Sequence, residues 1–98
     1  MKVLAEIELS DGGKGYVFFC PGCGHYHHFQ VVPGTDASKP IWTWNGDLEK
    51  PTFSPSLLVN GSTEKRCHSF VTDGQIQYLG DCWHELKNTT VDLNEIDW

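Results

Sequence analysis

Four cysteines limit the folds open to this chain, and two of them form a Cys-x-x-Cys motif. Cys20-Pro21-Gly22-Cys23-Gly24 lies between two strand-like segments, YVFFC and HYHHFQVV. This spacing lets two thiolates bind one metal ion, and Gly22 permits the tight turn between them. A redox dithiol normally precedes a helix, whereas a strand pattern follows Cys23. The motif therefore predicts a zinc knuckle that joins two strands.

The length of the chain favours such a metal clip. The 98 residues are 39% hydrophobic and 12% aromatic, which is enough for a packed core but not for a large one. Small domains often use a metal ion to offset a modest core. We therefore expect residues 1–98 to form a single zinc-containing β domain, with Zn²⁺ in a structural role.

Charge and hydropathy exclude several classes of function. The net charge is −6 and no cluster of basic residues occurs, so nucleic acid is a poor partner. No apolar run approaches the roughly 20 residues that cross a membrane, and Glu6 and Glu8 interrupt any signal-peptide core. We expect a cytoplasmic protein with reduced thiols.

Hydrophobic alternation predicts an all-β or β-rich fold built from antiparallel hairpins. Apolar residues alternate with polar ones over residues 3–9, and again over residues 89–96. Residues 33–40 read as a loop, and residues 82–88 as one helical turn. The short strands and Gly-containing turns between them favour hairpins clipped by one zinc ion.

The segment KRCHSFVTDGQIQYLGDCWH (65–84) predicts the rest of the metal site. A two-residue turn at Asp73-Gly74 and strict alternation place Cys67 and Cys82 on one face, as diagonal neighbours about 7–8 Å apart. The predicted ligands are Cys20, Cys23, Cys67 and Cys82. His84 is the rival for the fourth position, and His25 is a further candidate near the knuckle.

The opposite face of the same hairpin carries different chemistry. His68 and Asp81 form a diagonal pair on that face. A carboxylate beside an imidazole can fix its tautomer and stabilise its cation, although a surface His beside a surface Asp is the simpler interpretation.

Several motifs together resemble a known family. CPGCG, WTWNGD, PTFSPSLLVNG, CHSFVTDGQIQYLGDCWH and TTVDL occur in this order over roughly residues 16–93. They are similar to short phage and prophage proteins related to the BubE-like peptidases, which are encoded with bacterial ubiquitin-like conjugation systems. Phage members are often labelled ammonia monooxygenase, but this chain offers neither a membrane site nor a clear set of copper ligands.

The resemblance implies a zinc-stabilised serine hydrolase, in which Ser56 of Pro55-Ser56 is the nucleophile and His68 the general base. Asp81, suggested by the hairpin geometry, would orient His68; Ser54 is a second candidate hydroxyl. The expected substrate is a peptide, isopeptide or ester bond of a ubiquitin-like conjugate, in a bacterial host cell if the chain is phage-encoded.

Two other functions fit the same residues. In the first, a non-catalytic phage zinc module holds a partner protein through Trp42, Trp44 and Trp83. In the second, His68, His84 and a cysteine form an open zinc site for metal-assisted hydrolysis. The second requires that the four cysteines do not fill the coordination sphere.

Overall fold

The computed structural model describes residues 2–97 and consists of two antiparallel sheets. The eight strands are β1 (Ala5–Glu8), β2 (Lys14–Cys20), β3 (His25–Val32), β4 (Thr43–Trp44), β5 (Phe53–Val59), β6 (Cys67–Thr72), β7 (Gln75–Tyr78) and β8 (Thr90–Asp92). The first three form one sheet in the order β1-β2-β3, and the other five form the second in the order β4-β5-β6-β7-β8. The predicted all-β class with antiparallel hairpins is confirmed.

The three-stranded sheet places the cysteine knuckle at one of its ends. β2 and β3 are paired along their length, and the last pair joins Cys20 to His25. The chain reverses through Gly24, whose φ of 77° is unfavourable for residues with a side chain. The motif therefore lies in the connection between two strands, as the sequence predicts.

The five-stranded sheet contains the hairpin that the sequence predicts. Phe70 faces Gln77 and Thr72 faces Gln75 across the β6–β7 pair. Asp73 and Gly74 both have positive φ, which is typical of a tight two-residue hairpin turn. β7 ends at Tyr78, and residues 82–88 form turns rather than the helical turn that the sequence suggests.

Strand β5 contains an irregularity beside the hairpin. Phe53 pairs with Val71 and Leu57 with Ser69, so four steps along β5 correspond to two along β6. The two extra residues disrupt the ladder between these pairs, as in a β-bulge, and Ser56 lies within this interruption. The sequence gives no signal for this bulge.

Aromatic side chains join the two sheets in the core. Phe29 of β3 stacks on Phe53 of β5 with ring centroids 3.9 Å apart, and Phe18 of β2 lies 6.0 Å from Phe53. Phe18 and Phe29 are fully buried, and each such side chain stabilises the fold by roughly 1.5–3 kcal/mol through burial. The core fixes the cysteine knuckle of one sheet against β6 of the other.

Two further expectations from the sequence concern domain organisation and membrane-spanning segments. That residues 1–98 form one domain stays a prediction. Met1 and Trp98, the two ends of that range, lie outside the described residues. Over residues 2–97, no helix is long and apolar enough to span a membrane.

Candidate active site and metal centre

Strand β6 carries two kinds of chemistry on its two faces. Cys67, Ser69 and Val71 point inward and are buried, while His68 and Phe70 point to the other side. Successive side chains of a strand alternate between faces, so the neighbours Cys67 and His68 belong to different environments. The metal-ligand candidates lie on the inner face and the candidate base lies on the outer face.

Three cysteines and one histidine meet at the inner end of β6. One ligand atom from each of Cys20, Cys23, Cys67 and His84 lies within 4.8 Å of the other three. Sγ of Cys67 is 3.6 Å from Nε2 of His84. With zinc–sulfur and zinc–nitrogen bonds of about 2.3 and 2.0 Å, a tetrahedral site requires about 3.6 Å between such atoms. The four residues could therefore hold one metal ion.

The environment of the cluster fits metal ligation better than simple packing. Nδ1 of His84 is buried and has no hydrogen-bond partner within residues 2–97. Gly22 lies directly over this imidazole, and a Cβ at position 22 would collide with the ring. A buried imidazole whose Nε2 faces a cysteine sulfur is suited to a metal ion, and the three-cysteine, one-histidine set is a common structural zinc site.

Neighbouring donors hydrogen-bond to the sulfur atoms. The Tyr78 hydroxyl lies 3.0 Å from Cys20 Sγ, the Cys23 N–H donates to the same sulfur at 3.4 Å, and the Trp83 indole donates to Cys23 Sγ at 3.4 Å. Such bonds stabilise thiolates and orient them for a metal ion. Alternation along β6 and β7 is consistent with Tyr78 on the same face as Cys67 but gives no signal for its contact with Cys20.

The ionisation of the cysteines also favours a cation-binding cluster. A hydrogen bond from Cys67 lowers the pKa of Cys20 to about 3, while burial opposes this shift. The same hydrogen bond and burial raise the pKa of Cys67. Without a metal, the two sulfurs therefore share one proton; a bound cation would displace it and keep both as thiolates.

Cys82, predicted as the fourth ligand, lies outside this group, and His84 takes that place. The prediction extended the alternation of β7 to residue 82, but β7 ends at Tyr78 and the Cys82 N–H bonds to Leu79 O in a turn. The Trp83 N–H then donates to Arg66 O at 2.9 Å, which aligns the next residue, His84, with Cys67. His25 is not a member of the group either.

Cys82 contacts the backbone of His68 instead. Its sulfur accepts a hydrogen bond from the His68 N–H at 3.2 Å and donates one to the His68 carbonyl at 3.1 Å. Cys82 is buried, so water does not compete for these bonds. The thiol therefore holds the main chain that carries the candidate base.

On the outer face, Ser56, His68 and Asp81 form a continuous hydrogen-bonded set. Ser56 Oγ is 3.0 Å from His68 Nε2, and His68 Nδ1 is 3.3 Å from Asp81 Oδ2. The side chain of His68 is 26% exposed and that of Asp81 41% exposed. The three side chains thus have the relative positions of a serine hydrolase triad, and the exposed part of the set is open to solvent.

The bulge in β5 separates the two candidate serines. Ser54 Oγ is 2.8 Å from Thr43 Oγ1, on the side of β5 that pairs with β4. Ser56 faces His68, and the Trp42 indole donates to the Ser56 carbonyl at 3.4 Å. The contact to a base therefore favours Ser56 over Ser54. Alternation gives no signal for the Trp42 contact.

The comparisons with known proteins agree with this geometry. The family model for the bacterial ubiquitination-like system serine protease (BubE) matches residues 2–79. The chain belongs to the BubE family. No curated protein and no solved structure matches it.

The BubE match covers most of both sites but not all of either. Ser56 and His68 lie within residues 2–79, as do three of the four residues in the metal cluster. Asp81 and His84 follow the matched region, so their assignment depends on the structure alone. The family match assigns no individual residue, whereas the hydrogen-bond geometry brings Ser56 and His68 together.

His68 does not belong to the cluster that could hold a metal. Both of its ring nitrogens have partners on the outer face, and the four clustered residues satisfy a tetrahedral ion without it. An open zinc site built from His68 and His84 would require His68 to leave Ser56 and cross the strand. The structure of this BubE family member therefore gives no support to metal-assisted hydrolysis through His68.

Proposed function

We propose that this BubE family member is a serine peptidase stabilised by zinc. The observation that carries the proposal is the Ser56–His68–Asp81 set, with hydrogen-bond distances of 3.0 and 3.3 Å. Family membership supports the same chemistry. Zinc is the ion proposed for the cluster of three cysteines and one histidine, because closed sites of this composition favour it.

In the proposed reaction, His68 Nε2 takes the proton of Ser56 Oγ as the hydroxyl attacks the substrate carbonyl. The attack breaks the carbonyl double bond, and the tetrahedral intermediate then expels the amine, which receives the proton from His68. A water molecule, deprotonated by the same imidazole, hydrolyses the acyl-enzyme and regenerates Ser56. Asp81 accepts a hydrogen bond from Nδ1 and so keeps Nε2 free to act as the base.

The metal would act through the fold rather than on the substrate. Three cysteines and His84 satisfy a four-coordinate ion, so no coordination position remains for a water or a carbonyl group. Cys67 precedes His68 directly, and a metal bound to Cys67 would fix the start of β6. The proposed role of zinc is to hold the base in position from the inner face of the strand.

The proposed substrate is a protein of a bacterial ubiquitin-like conjugation system, cleaved at a peptide or isopeptide bond in the cytoplasm. The description of the family as a protease of such a system supports this choice of substrate class. A phage-encoded origin, suggested by the sequence motifs, belongs to the same proposal.

A fluorophosphonate probe tests the activated serine. We expect labelling of the wild-type protein, and a loss of about 1000-fold or more in labelling rate in both Ser56→Ala and His68→Ala. Ser54→Ala is the matched control and should keep the wild-type rate, because its hydroxyl contacts Thr43. Metal content is measured in parallel by mass spectrometry and should not change in any of the three variants.

Three results would contradict the proposal. A folded, metal-loaded wild type that does not label would favour the non-catalytic binding module. Labelling that persists in Ser56→Ala but disappears in Ser54→Ala would transfer the nucleophile to Ser54. Loss of the metal in His68→Ala would place His68 in the metal site.

A further inference from the structure

A cleft lies between the two sheets, beside Ser56. Its volume is about 490 Å³, within the range of ligand-binding pockets. One wall is built by β3, through residues that include His25 and His28, and the other by residues 57–60. Leu57 follows Ser56 directly, and the indole of Trp42, which also lines the cleft, donates to the Ser56 carbonyl. The cleft therefore lies next to the main chain of the proposed nucleophile.

Strand edges border the cleft on both sides. β3 is an edge strand with β2 as its neighbour, and the Trp42 N–H bonds to it at Gln30 O. β4 pairs with β5 only at Phe53 and Ser54, so within residues 2–97 no strand covers Leu57–Val59 on that side. Exposed strand edges bind extended peptides through main-chain hydrogen bonds. The shape of the cleft thus fits an extended chain rather than a helix.

The two walls differ in chemistry. The wall from β5 is apolar at Leu57 and Leu58, and Leu58 is 53% exposed although it faces His68 across the β5–β6 pair. The wall from β3 includes three histidines, His25, His27 and His28, and Lys39 extends this polar side. An exposed leucine beside a catalytic set is well placed to contact an apolar side chain near the scissile bond.

Charge complementarity indicates which peptides fit. The chain has 13 Asp and Glu residues against 7 Lys and Arg, yet no carboxylate among residues 2–97 lines the cleft. Asp11, which pairs with Lys39 at 3.4 Å, lies outside the lining. Imidazole N–H and ammonium groups donate hydrogen bonds to carboxylates. An acidic segment would therefore be attracted here, while the rest of this acidic protein would repel it.

We propose that the cleft binds an extended acidic segment of the substrate next to the scissile bond. The segment combines carboxylates, which face His28 and Lys39, with an apolar side chain on Leu58. This inference rests on the proposed function of Ser56, since that residue defines which end of the cleft holds the scissile bond.

Peptide binding to the Ser56→Ala variant tests the cleft without any need for catalysis. The probes are three capped hexapeptides in which leucine alternates with glutamate, with glutamine or with lysine. We expect the glutamate peptide to bind about 10-fold more tightly than the glutamine peptide, the lysine peptide to bind least, and the preference to fall at high salt. Amide shifts in ¹H–¹⁵N spectra should change at residues 25–28 and 57–60.

Two variants made in the Ser56→Ala background separate the cleft from the rest of the surface. His28→Gln combined with Lys39→Gln should abolish the preference for glutamate over glutamine. Lys65→Gln is the matched control, because Lys65 lies over the Trp83 ring, 4.0 Å from its centroid, and does not line the cleft. Equal affinity for the three peptides, absence of binding, or shifts confined to other residues would overturn the proposal.

The two proposals fail in different ways. Selective peptide binding at the cleft, without fluorophosphonate labelling of Ser56 in the wild type, would contradict the proposed peptidase activity and support a peptide-binding module. Labelling of Ser56 without selective peptide binding would support the proposed peptidase activity and contradict the proposal that the cleft binds an acidic segment. Each experiment therefore reports on one proposal.

Discussion

The two faces of β6 place adjacent residues, Cys67 and His68, in opposite physical environments. On the inner face, Cys20, Cys67 and His84 are buried, and Tyr78 and Trp83 hydrogen-bond to the cysteine sulfurs. On the outer face, the side chains of His68 and Asp81 remain 26% and 41% exposed. Burial makes the first group suited to hold the fold together, and exposure makes the second suited to meet a substrate. One strand thus connects the candidate metal centre to the proposed catalytic set without a shared side chain.

Loss of the metal from the inner face is expected to have the largest effect, which is on the stability of the fold. Structural zinc contributes roughly 10–16 kcal/mol of apparent binding free energy, against a net stability of about 5–15 kcal/mol for a typical domain. Chelation, or Cys67→Ser, should therefore abolish the cooperative thermal transition measured by circular dichroism. Cys82→Ser is the matched control and should retain one equivalent of zinc. If the chelated protein melted like the loaded one, the inner face would have no role in stability.

A smaller and purely catalytic effect is expected on the outer face, at Asp81. Asn at this position cannot stabilise the protonated imidazole, and in a buried triad this change costs about 10⁴-fold. Because Asp81 is 41% exposed and 3.3 Å from His68, we expect a fall of about 10–100-fold in the rate of fluorophosphonate labelling. Metal content and melting temperature should not change.

The exposed carboxylate of Asp92 provides the control for Asp81. Asp92 accepts a hydrogen bond from Gln75 at 3.0 Å, on the edge of the same sheet, and Asp92→Asn should leave labelling unchanged. Equal labelling rates in Asp81→Asn and the wild type would reduce the outer site to a Ser56–His68 pair.

Cys82 offers a test of whether the two faces of β6 are coupled. Its sulfur bonds to the N–H and the carbonyl of His68, and it is buried. Cys82→Ala removes both bonds and leaves two backbone groups to find other partners, which should lower the free energy of unfolding by about 1–3 kcal/mol. Labelling of Ser56 should fall several-fold, while bound zinc stays at one equivalent. Loss of zinc from this variant, and not from Cys67→Ser, would restore Cys82 as a ligand.

The sequence predicts the two faces better than it predicts where the strands end. Alternation and the Asp73-Gly74 turn are enough to place Cys67 and His68 on opposite sides, because strand periodicity is a local property. The exchange of Cys82 for His84 depends on the end of β7 at Tyr78 and on the turn that follows. Element boundaries depend on tertiary contacts, such as that of Trp83 N–H with Arg66 O, which alternation does not reveal.

Tertiary contacts that the sequence does not reveal also determine the cleft and the position of Ser56. The bulge that directs Ser56 to His68 requires two more residues in β5 than in β6, a mismatch that only the pairing of the strands shows. The contact of Trp42 with the Ser56 carbonyl joins residues 14 positions apart. The family resemblance identified Ser56, but the acidic preference proposed for the cleft arises from β3 and β5 of different sheets.

The smallest effect on stability is expected from a change at Asp11, which precedes β2 at the end opposite to Cys20. A hydrogen bond from the Gly13 N–H, followed by one from Asp36 N–H and the charge of Lys39, lowers the pKa of Asp11 below its usual 3.8. A folded-state pKa below the unfolded value stabilises the protein above pH 4, and this contribution disappears as the pH falls through the folded value.

Asp11→Asn should therefore lower the melting temperature slightly at pH 7, by less than Cys82→Ala does, and the difference from the wild type should vanish in acid. Since the Asp11 carboxylate pairs with Lys39 at 3.4 Å and offsets its charge, the variant should also strengthen the preference for glutamate peptides, while bound zinc is unchanged at neutral pH. A difference in melting temperature that persists below the folded pKa would mean that Asp11 acts through its shape and not its charge. Loss of zinc at pH 7 would show that the cleft and the metal centre are coupled along β2, and the separation of the two faces would then fail.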